Sequence, residues 1–277
     1  MKIFRDTKSL SDYIEKQSSS IGFVPTMGAI HQGHLSLIKK SKKDGNLTVC
    51  SIFVNPNQFN DKKDLEKYPR TEEKDVALLK SSNCDIVFIP TVEDIYPEPD
   101  NRKFDFGNLG KVMEAKHREG HFNGVAQVVT RLFDIVKPDI AYFGLKDFQQ
   151  YSIIKKVVED YNLKVKVVGC ETIREKDGLA MSSRNMNLNE EERNAAKLIP
   201  EALQKAKILY NNGEEIETIK NGVETIFNNN SIYRFEYFEI AKAKDLTPIT
   251  KKTDNQTVVA CIAVFVGQIR LIDNIIL

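Results

Sequence analysis

Two histidines stand three residues apart in the segment GFVPTMGAIHQGHLSLIKKSK, between a short apolar run and a run with helical periodicity. We expect Pro25 to end a strand, Gly28 and Gly33 to let the backbone turn, and a helix to follow. The unpaired N–H groups at the start of a helix bind anions. His31 and His34 would lie beside such an anion and neutralise charge developing on a phosphate. The segment therefore indicates a nucleotide phosphate site.

Two other interpretations of these histidines stay open. Both side chains could merely cap a turn, and an isolated H-x-x-H pair would favour that explanation. The remaining two histidines of the chain, His117 and His121 in HREGHF, make a zinc site conceivable. Against zinc, no cysteine or carboxylate pair accompanies the histidines at the spacing that zinc ligands usually have.

Polar groups also follow two other apolar runs. In IFVNPNQF, the neutral amides of Asn55 and Gln58 could hold hydroxyls or a carboxylate of a small substrate, although an ordinary Asn-Pro turn explains the pattern equally simply. In FGLKDFQQ, Lys146 follows Gly144 at a strand end, where a mobile ammonium suits a phosphate. Asp147 fits a helix N-cap as well as it fits a catalytic role.

The segment DGLAMSSRN places two hydroxyls and a guanidinium at consecutive positions, Ser182, Ser183 and Arg184. Such groups commonly hold a polyphosphate. The chain lacks the G-x-x-x-x-G-K-[ST] loop, a G-x-G-x-x-G after the first strand and a G-x-S-x-G elbow. This disfavours a P-loop kinase, a typical dinucleotide dehydrogenase and an acyl-enzyme mechanism. Phosphate-centred activation without a covalent enzyme intermediate remains.

The elements that must position these groups alternate between short β-branched runs and helix-period segments. Such alternation predicts a parallel sheet covered by helices, with ligands at the carboxyl ends of its strands. The predicted strands are 21–24, 47–54, 86–89, 140–143 and 165–168, and the predicted helices are 35–42, 71–82, 125–136 and 148–161. Beyond MSSRN we predict helices over 188–210 and 215–227, then strands over 232–240, 257–266 and 269–272, with Gly267-Gln268 as a hairpin loop.

The fold class predicted is therefore α/β, with a Rossmann-like parallel sheet domain over residues 1–185 and a smaller α+β domain over residues 186–277. A formal charge of +1 from 40 basic and 39 acidic residues provides no field for nucleic acid or an anionic membrane. The start MKIFRDTKSL lacks the apolar core of an export signal, so we expect a cytoplasmic protein. Its four dispersed cysteines are expected to be free thiols.

Five ordered stretches together resemble the pantothenate synthetase family: PTMGAIHQGHLSLIKKSK, SIFVNPNQF, YPRT, HFNGVAQVVTRLFDIVKPDIAYFGLKDFQQ and REKDGLAMSSRN. The H-x-G-H element alone would indicate only the wider nucleotidylyltransferase superfamily, another member of which is the alternative. The resemblance implies ATP-dependent ligation of pantoate and β-alanine through a pantoyl adenylate, giving pantothenate, AMP and pyrophosphate. It also implies Mg²⁺ on the ATP, a homodimer and a C-terminal domain that acts as a lid. A non-catalytic nucleotide-binding regulator is a third hypothesis.

The resemblance also implies roles for individual residues. The catalytic residues would be His34, His31 and Lys146, and the pantoate and β-alanine ligands would be Gln58, Gln150 and Asn55. The ATP-binding residues would be Met27, Gly28, Ala29, Ile30, His31, Gln32, Gly33, His34, Gly144, Leu145, Lys146, Asp147, Ile173, Met181, Ser182, Ser183 and Arg184. Arg118 and His121 would help to close the pocket, whereas His117 would be incidental. Gln32 and Leu145 depart from the family's usual glutamates in H-E-G-H and G-E-K-D.

Overall fold

A computed structural model describes residues 1–60, 62–253 and 255–277, with the backbone alone described over residues 62–64. The chain divides into two units, each built from stretches that are separated in sequence. The first unit comprises Met1–Phe106, Arg118–Leu145 and Ile153–Glu171, and the second comprises Gly107–His117, Lys146–Ser152 and Thr172–Leu277. The domain boundary predicted at residue 185, and the lid role of the residues after it, stay predictions.

Strands and helices alternate through the first unit, and three strands follow the last helices. The described strands are β1 (Lys2–Phe4), β2 (Ile21–Thr26), β3 (Leu47–Ile52), β4 (Ile86–Phe88), β5 (Ile140–Gly144), β6 (Lys166–Cys170), β7 (Tyr233–Lys242), β8 (Val258–Val266) and β9 (Ile269–Ile276). The described α-helices are α1 (Thr7–Ile14), α2 (Gln32–Lys43), α3 (Lys62–Lys67), α4 (Glu72–Ser81), α5 (Val92–Ile95), α6 (Met113–His117), α7 (His121–Val136), α8 (Phe148–Asp160), α9 (Glu190–Ala195), α10 (Leu198–Asn211) and α11 (Ile216–Asn228). Four short 3₁₀ helices cover Pro56–Gln58, Gly107–Gly110, Leu145–Asp147 and Ser183–Asn187.

The first unit contains a six-stranded sheet in the order β1-β4-β3-β2-β5-β6, and every pair in it is parallel. This confirms the predicted Rossmann-like sheet; β1 and α1 had no counterpart in the prediction. The strand order reverses between β2 and β5, and their ladder covers only Gly22 with Ile140 and Phe23 with Ala141. Both strands continue beyond these pairs, so their carboxyl halves separate. Open α/β sheets bind ligands at such a reversal.

Pro25 does not end β2, contrary to our expectation, because the strand continues through it to Thr26. The carbonyl of Thr26 accepts a hydrogen bond from Phe53 N–H on the β3 side. Backbone groups alternate sides along a strand, so Pro25 faces the β5 side. The ladder with β5 stops at Phe23. The N–H that proline lacks is therefore not needed at this position.

The second unit contains an antiparallel sheet in the order β7-β8-β9, as the sequence predicted for its α+β character. The pairing of Val266 with Ile269 leaves Gly267-Gln268 as the two-residue loop that was expected. Its core joins α10 and α11 to the sheet through fully buried side chains such as Phe227, Ile240 and Ile262.

The single helix predicted over 188–210 is wrong, because α9 ends at Ala195 and α10 begins at Leu198. Pro200 is the physical reason. It has no N–H to donate to the carbonyl four residues earlier, at Ala196, and its ring crowds that carbonyl. A proline is accepted in the first turn of a new helix, which is where Pro200 lies.

Candidate active site

The segment after β2 is a tight turn with two consecutive residues in the left-handed region, Gly28 at φ 81° and Ala29 at φ 49°. Thr26 Oγ1 accepts the Gly28 N–H at 3.1 Å. The next two N–H groups, of Ala29 and Ile30, donate to the two carboxylate oxygens of Asp75 at 2.9 and 2.8 Å. Sequence reasoning missed Asp75, which lies in α4 and is 1% exposed.

The two histidines cap α2 reciprocally. His31 is the N-cap residue, and its Nδ1 accepts the Gly33 N–H at 3.1 Å. His34 lies in the first turn, and its Nδ1 accepts the His31 N–H at 3.3 Å. A backbone N–H can only donate, so each Nδ1 is an acceptor and each neutral ring carries its proton on Nε2. The rings lie close, with centroids 4.0 Å apart and planes tilted by 31°.

This arrangement corrects two expectations and modifies a third. The helix begins at Gln32 rather than Leu35, because the capping box closes its first turn. Gly33 is therefore helical and does not turn the chain. The histidines do cap, as the simpler interpretation proposed. Capping uses Nδ1, so the donor of each neutral ring is Nε2–H.

Two of the three predicted substrate amides, Asn55 and Gln58, lie together in the first unit. Asn55, 1% exposed, donates through Nδ2 to Gln58 Oε1 at 3.2 Å and to the Gly124 carbonyl at 3.1 Å. Its Oδ1 accepts the Tyr96 hydroxyl at 3.0 Å. Gln58 Nε2 lies 2.9 Å from Met27 Sδ. These contacts fix the orientation of both amides and bring Gln58 next to the first residue of the predicted ATP loop.

Gly124 allows α7 to pack closely on the 3₁₀ helix Pro56–Gln58. A Cβ atom on Gly124 would lie 2.3 Å from the Asn57 carbonyl oxygen, so only glycine fits. The helix was predicted to begin at Val125, but α7 begins at His121. The low helix propensity of Gly124 is the reason that the first turn was not predicted.

His121 connects this turn to the HREGHF segment. Its Nε2 faces Arg118 Nη1 at 2.9 Å, and its Nδ1 lies 2.8 Å from the Gln58 carbonyl oxygen. Because the guanidinium can only donate, Nε2 is the acceptor and Nδ1–H donates to the carbonyl. His117 belongs to the second unit, where it stacks on Tyr237 with centroids 5.5 Å apart. The two histidines of this segment therefore serve different units.

The second unit holds the predicted residues around Lys146. The ammonium of Lys146 lies 3.2 Å from Asp147 Oδ1, and its backbone carbonyl accepts a hydrogen bond from Asn274 Nδ2 at 2.8 Å. Gln150 is half-buried. Its neighbour Gln149 is buried and holds the backbone of residues 109–114, through the Glu114 N–H at 3.0 Å and two carbonyls at 2.7 and 2.9 Å. Neither Asn274 nor Gln149 was identified from the sequence.

The remaining predicted nucleotide residues lie in the second unit on one short hairpin. Met181 N–H donates to the Ile173 carbonyl at 2.9 Å, which places the two residues side by side. Ser182 caps the 3₁₀ helix that contains Ser183 and Arg184, accepting the Arg184 N–H at 3.3 Å. Arg174, beside Ile173, forms a bidentate ion pair with Asp273 at 2.6 and 3.0 Å.

The predicted residues thus divide between the two units. The first holds Met27, Gly28, Ala29, Ile30, His31, Gln32, Gly33, His34, Asn55, Gln58, Gly144 and Leu145, and the second holds Lys146, Asp147, Gln150, Ile173, Met181, Ser182, Ser183 and Arg184.

Among the described residues, no three His, Cys, Asp or Glu side chains are grouped so as to hold a metal ion. The helices of the described residues include none with the length and hydropathy of a membrane span.

Burial controls the protonation of the groups that could act as nucleophiles. All four cysteines are free. Burial raises the pKa of Cys84 to about 12 and that of Cys170 to about 11, and it raises the pKa of Cys50 and of Cys261 well above the usual value. Burial also raises the pKa of Tyr96 to about 12, so its hydroxyl stays a donor to Asn55 at neutral pH.

Comparison with known proteins gives a consistent result. A family model described as Pantoate-beta-alanine ligase matches residues 2–276. The chain is 48% identical to a pantothenate synthetase of Porphyromonas gingivalis, covering 99% of both chains, and 46% identical to one of Bacteroides thetaiotaomicron, covering 99% of this chain and 98% of the other.

Solved structures agree. A pantothenate synthetase of Thermus thermophilus superposes with a TM-score of 0.93 at 36% identity, covering 99% of both chains. A pantoate-β-alanine ligase of Francisella tularensis, complexed with β-γ ATP and β-alanine, has a TM-score of 0.83 at 34% identity over 100% of this chain and 97% of the other. The chain belongs to the pantoate–β-alanine ligase family, whose members are also named pantothenate synthetases.

Proposed function

We propose that this protein joins pantoate to β-alanine at the expense of ATP, with the capped histidine pair at the start of α2 acting on the α-phosphate. The observation that carries the proposal is the reciprocal cap, which gives two neighbouring rings their proton on Nε2. Membership of the ligase family over residues 2–276 supplies the reaction.

In the first step the pantoate carboxylate forms a bond to the α-phosphorus, and the bond to pyrophosphate breaks. Negative charge grows on the phosphate oxygens in the transition state. His31 and His34, as Nε2–H donors beside a helix amino end, are suited to stabilise it without giving up a proton. Lys146, Ser182, Ser183 and Arg184 provide donors and positive charge for the departing pyrophosphate.

In the second step the β-alanine nitrogen bonds to the acyl carbon of pantoyl adenylate, AMP leaves, and the amine loses a proton. We assign Gln58 and Gln150 to pantoate and Asn55 to the shape of the adjoining β-alanine site. Neutral amides suit a hydroxy acid, because they can donate to a carboxylate and accept from a hydroxyl. The hydrogen bond between Asn55 and Gln58 orients both for this purpose.

Mg²⁺ would enter as the ATP complex. This ion is commonly held by substrate phosphates, waters and one or two carboxylates, and it would neutralise charge on the triphosphate. Asp147, beside Lys146 and with a side chain 45% exposed, is the candidate carboxylate for such a ligand. A cytoplasmic location fits four free thiols. A homodimer is proposed from the family resemblance, and light scattering of the purified protein would test it.

The test of the reaction measures AMP and pyrophosphate with ATP, Mg²⁺ and pantoate, in the presence and absence of β-alanine. We expect catalytic AMP formation only when both substrates are present, because pantoyl adenylate otherwise stays bound. Catalytic pyrophosphate release without the amine would instead indicate another nucleotidylyltransferase. ATP binding with no product in either reaction would indicate a nucleotide-binding regulator.

A further inference from the structure

We propose that Asp75 is a positioning residue for the adenylation step. Its buried carboxylate holds the Gly28–Ile30 turn, and this turn sets the position of the α2 amino end and of its two histidines. The inference rests on the proposed function, because it concerns the histidines that act on the α-phosphate. It does not require Asp75 to touch a substrate.

Both oxygens of the carboxylate are used by the turn. Asp75 Oδ2 accepts the Ala29 N–H at 2.9 Å, and Oδ1 accepts the Ile30 N–H at 2.8 Å. Oδ1 also accepts the Thr71 hydroxyl at 3.1 Å. The three donors restrain the carboxylate, and the turn in turn leads directly into His31, the N-cap of α2.

The Gly28–Ile30 turn forms an anion site at the position that the Asp75 carboxylate occupies. Successive N–H groups point to one side when the backbone passes through the left-handed region, and such a concave surface binds negative charge. A non-glycine residue at φ 49°, as at Ala29, is strained unless its surroundings hold it. Charge-assisted hydrogen bonds from the backbone N–H groups to a buried carboxylate provide that restraint. The protein's own carboxylate thus fills this anion site, so phosphate would meet the following groups, which are the α2 amino end and the histidine rings.

An acidic residue near a helix amino end is common, but that explanation does not cover Asp75. Its neighbours in the first turn of α4, Glu72 and Glu73, are exposed, as expected for residues that merely complement the helix dipole. Asp75 is 1% exposed and lies 46 positions along the chain from Ala29. The carboxylate of Asp75 also lies close to the backbone of the turn, since a Cβ on Gly28 would lie 3.0 Å from Asp75 Oδ2.

The test is the isosteric variant Asp75→Asn, measured for turnover, for the KM of ATP and for thermal stability. One side-chain oxygen remains, and the new NH₂ group faces a backbone N–H, so the turn loses one of its two acceptors. We expect kcat to fall by about 10- to 100-fold, while the KM for ATP changes by less than about threefold. The reason is that displaced histidines would lose contacts that they make mainly with the transition state. Thr71→Val, which keeps both backbone contacts, should retain kcat within about threefold.

Asp100→Asn is the matched control for stability. Asp100 has a side chain that is 1% exposed and is paired with Arg102 and Arg131. A stability loss of similar size in Asp100→Asn, without the fall in kcat, would support positioning by Asp75. Equal losses of kcat in both variants, or kcat of Asp75→Asn within threefold of the wild type, would overturn the proposal.

Two further measurements keep the outcome clear. If Asp75→Asn does not fold, Gly28→Ala crowds the same carboxylate from the loop side and should lower kcat at least tenfold; full kcat would overturn the proposal. Hydrogen exchange of the Ala29 and Ile30 amides should accelerate in Asp75→Asn, and this readout does not depend on the reaction. Absence of AMP from the wild-type protein with all three substrates would refute the function itself, whereas unchanged amide exchange would refute the role of Asp75.

Discussion

The backbone around His31 and the backbone around Lys146 are held in place by different kinds of contact. Near His31, the two histidine caps are local contacts that span two and three positions, and Asp75 reaches the preceding turn from 45 and 46 positions away. Near Lys146, the partners are remote. Asn274 lies 128 positions from Lys146, and Gln149 reaches residues 35 to 40 positions away. The cap of α2 is therefore formed within a short segment, whereas the backbone at Lys146 depends on parts of the second unit that are distant in sequence.

The largest expected effect is in the local region. His34→Ala removes one of the two Nε2–H donors, so we expect kcat to fall by about 10³-fold while the protein stays folded. Turnover by AMP release and circular dichroism would check this. Lys39→Ala, an exposed position on the same helix, is the control and should retain activity. Turnover of His34→Ala within tenfold of the wild type would contradict the role of the histidine.

The second prediction breaks a remote contact in the second unit. Buried Glu114 accepts both arms of Arg270 at 2.7 Å and the hydroxyl of Tyr237 at 2.8 Å. Glu114→Gln removes one of the two carboxylates paired with this guanidinium, the other being Glu236, so we expect the free energy of unfolding to fall by about 3 kcal/mol. Urea denaturation would measure it.

Glu15→Gln is the control for this measurement. Glu15 pairs with Lys137 on the surface, where the two side chains are 61% and 60% exposed. We expect this change to cost at most about 0.5 kcal/mol. Equal effects of the two substitutions would show that the buried cluster contributes no more than a surface pair.

The third prediction concerns pH and the ion pair of a buried carboxylate in the first unit. The hydrogen bond from Arg102 lowers the pKa of Asp100 from 3.8 to about 2. A lowered folded-state pKa adds stability above the unfolded-state value, and this stability is lost as pH falls from about 4 to 2. We expect Asp100→Asn to be about 2 kcal/mol less stable than the wild type at pH 6, with most of the difference gone at pH 2. A difference independent of pH would contradict the lowered pKa.

The smallest expected effect tests the hold on Lys146. Asn274→Ala removes the donor to the Lys146 carbonyl, so we expect kcat/KM for ATP to fall by about threefold to tenfold, or about 1 kcal/mol. Asn228→Ala, which removes an exposed hydrogen bond to Glu224 on α11, should leave kcat/KM unchanged. If both variants behave like the wild type, the remote contact does not position Lys146.

The parallel sheet, most of its strands and the histidine pair can be predicted from the sequence, because these depend on periodicity, glycine placement and spacing within a few residues. The sequence also placed Asn55 and Gln58 after one strand and Lys146 after another. It did not reveal where α2 begins or that the predicted helix is interrupted between Ala195 and Leu198, before Pro200. The start of α2 was predicted wrongly because a histidine cap is an unusual helix start. The helix interruption was not predicted because a proline three residues into a new helix leaves the apolar periodicity looking continuous.

The contacts that hold the candidate site residues in place become visible in the folded chain and not in the sequence. Asp75 reads from the sequence as one more acidic residue at a helix start, and Gln149, Asp273 and Asn274 read as ordinary polar positions. Each becomes significant because folding brings it to a backbone or side-chain group dozens of positions away and buries it there. The value of a hydrogen bond depends on the burial of its partners, and burial is a property of the assembled fold.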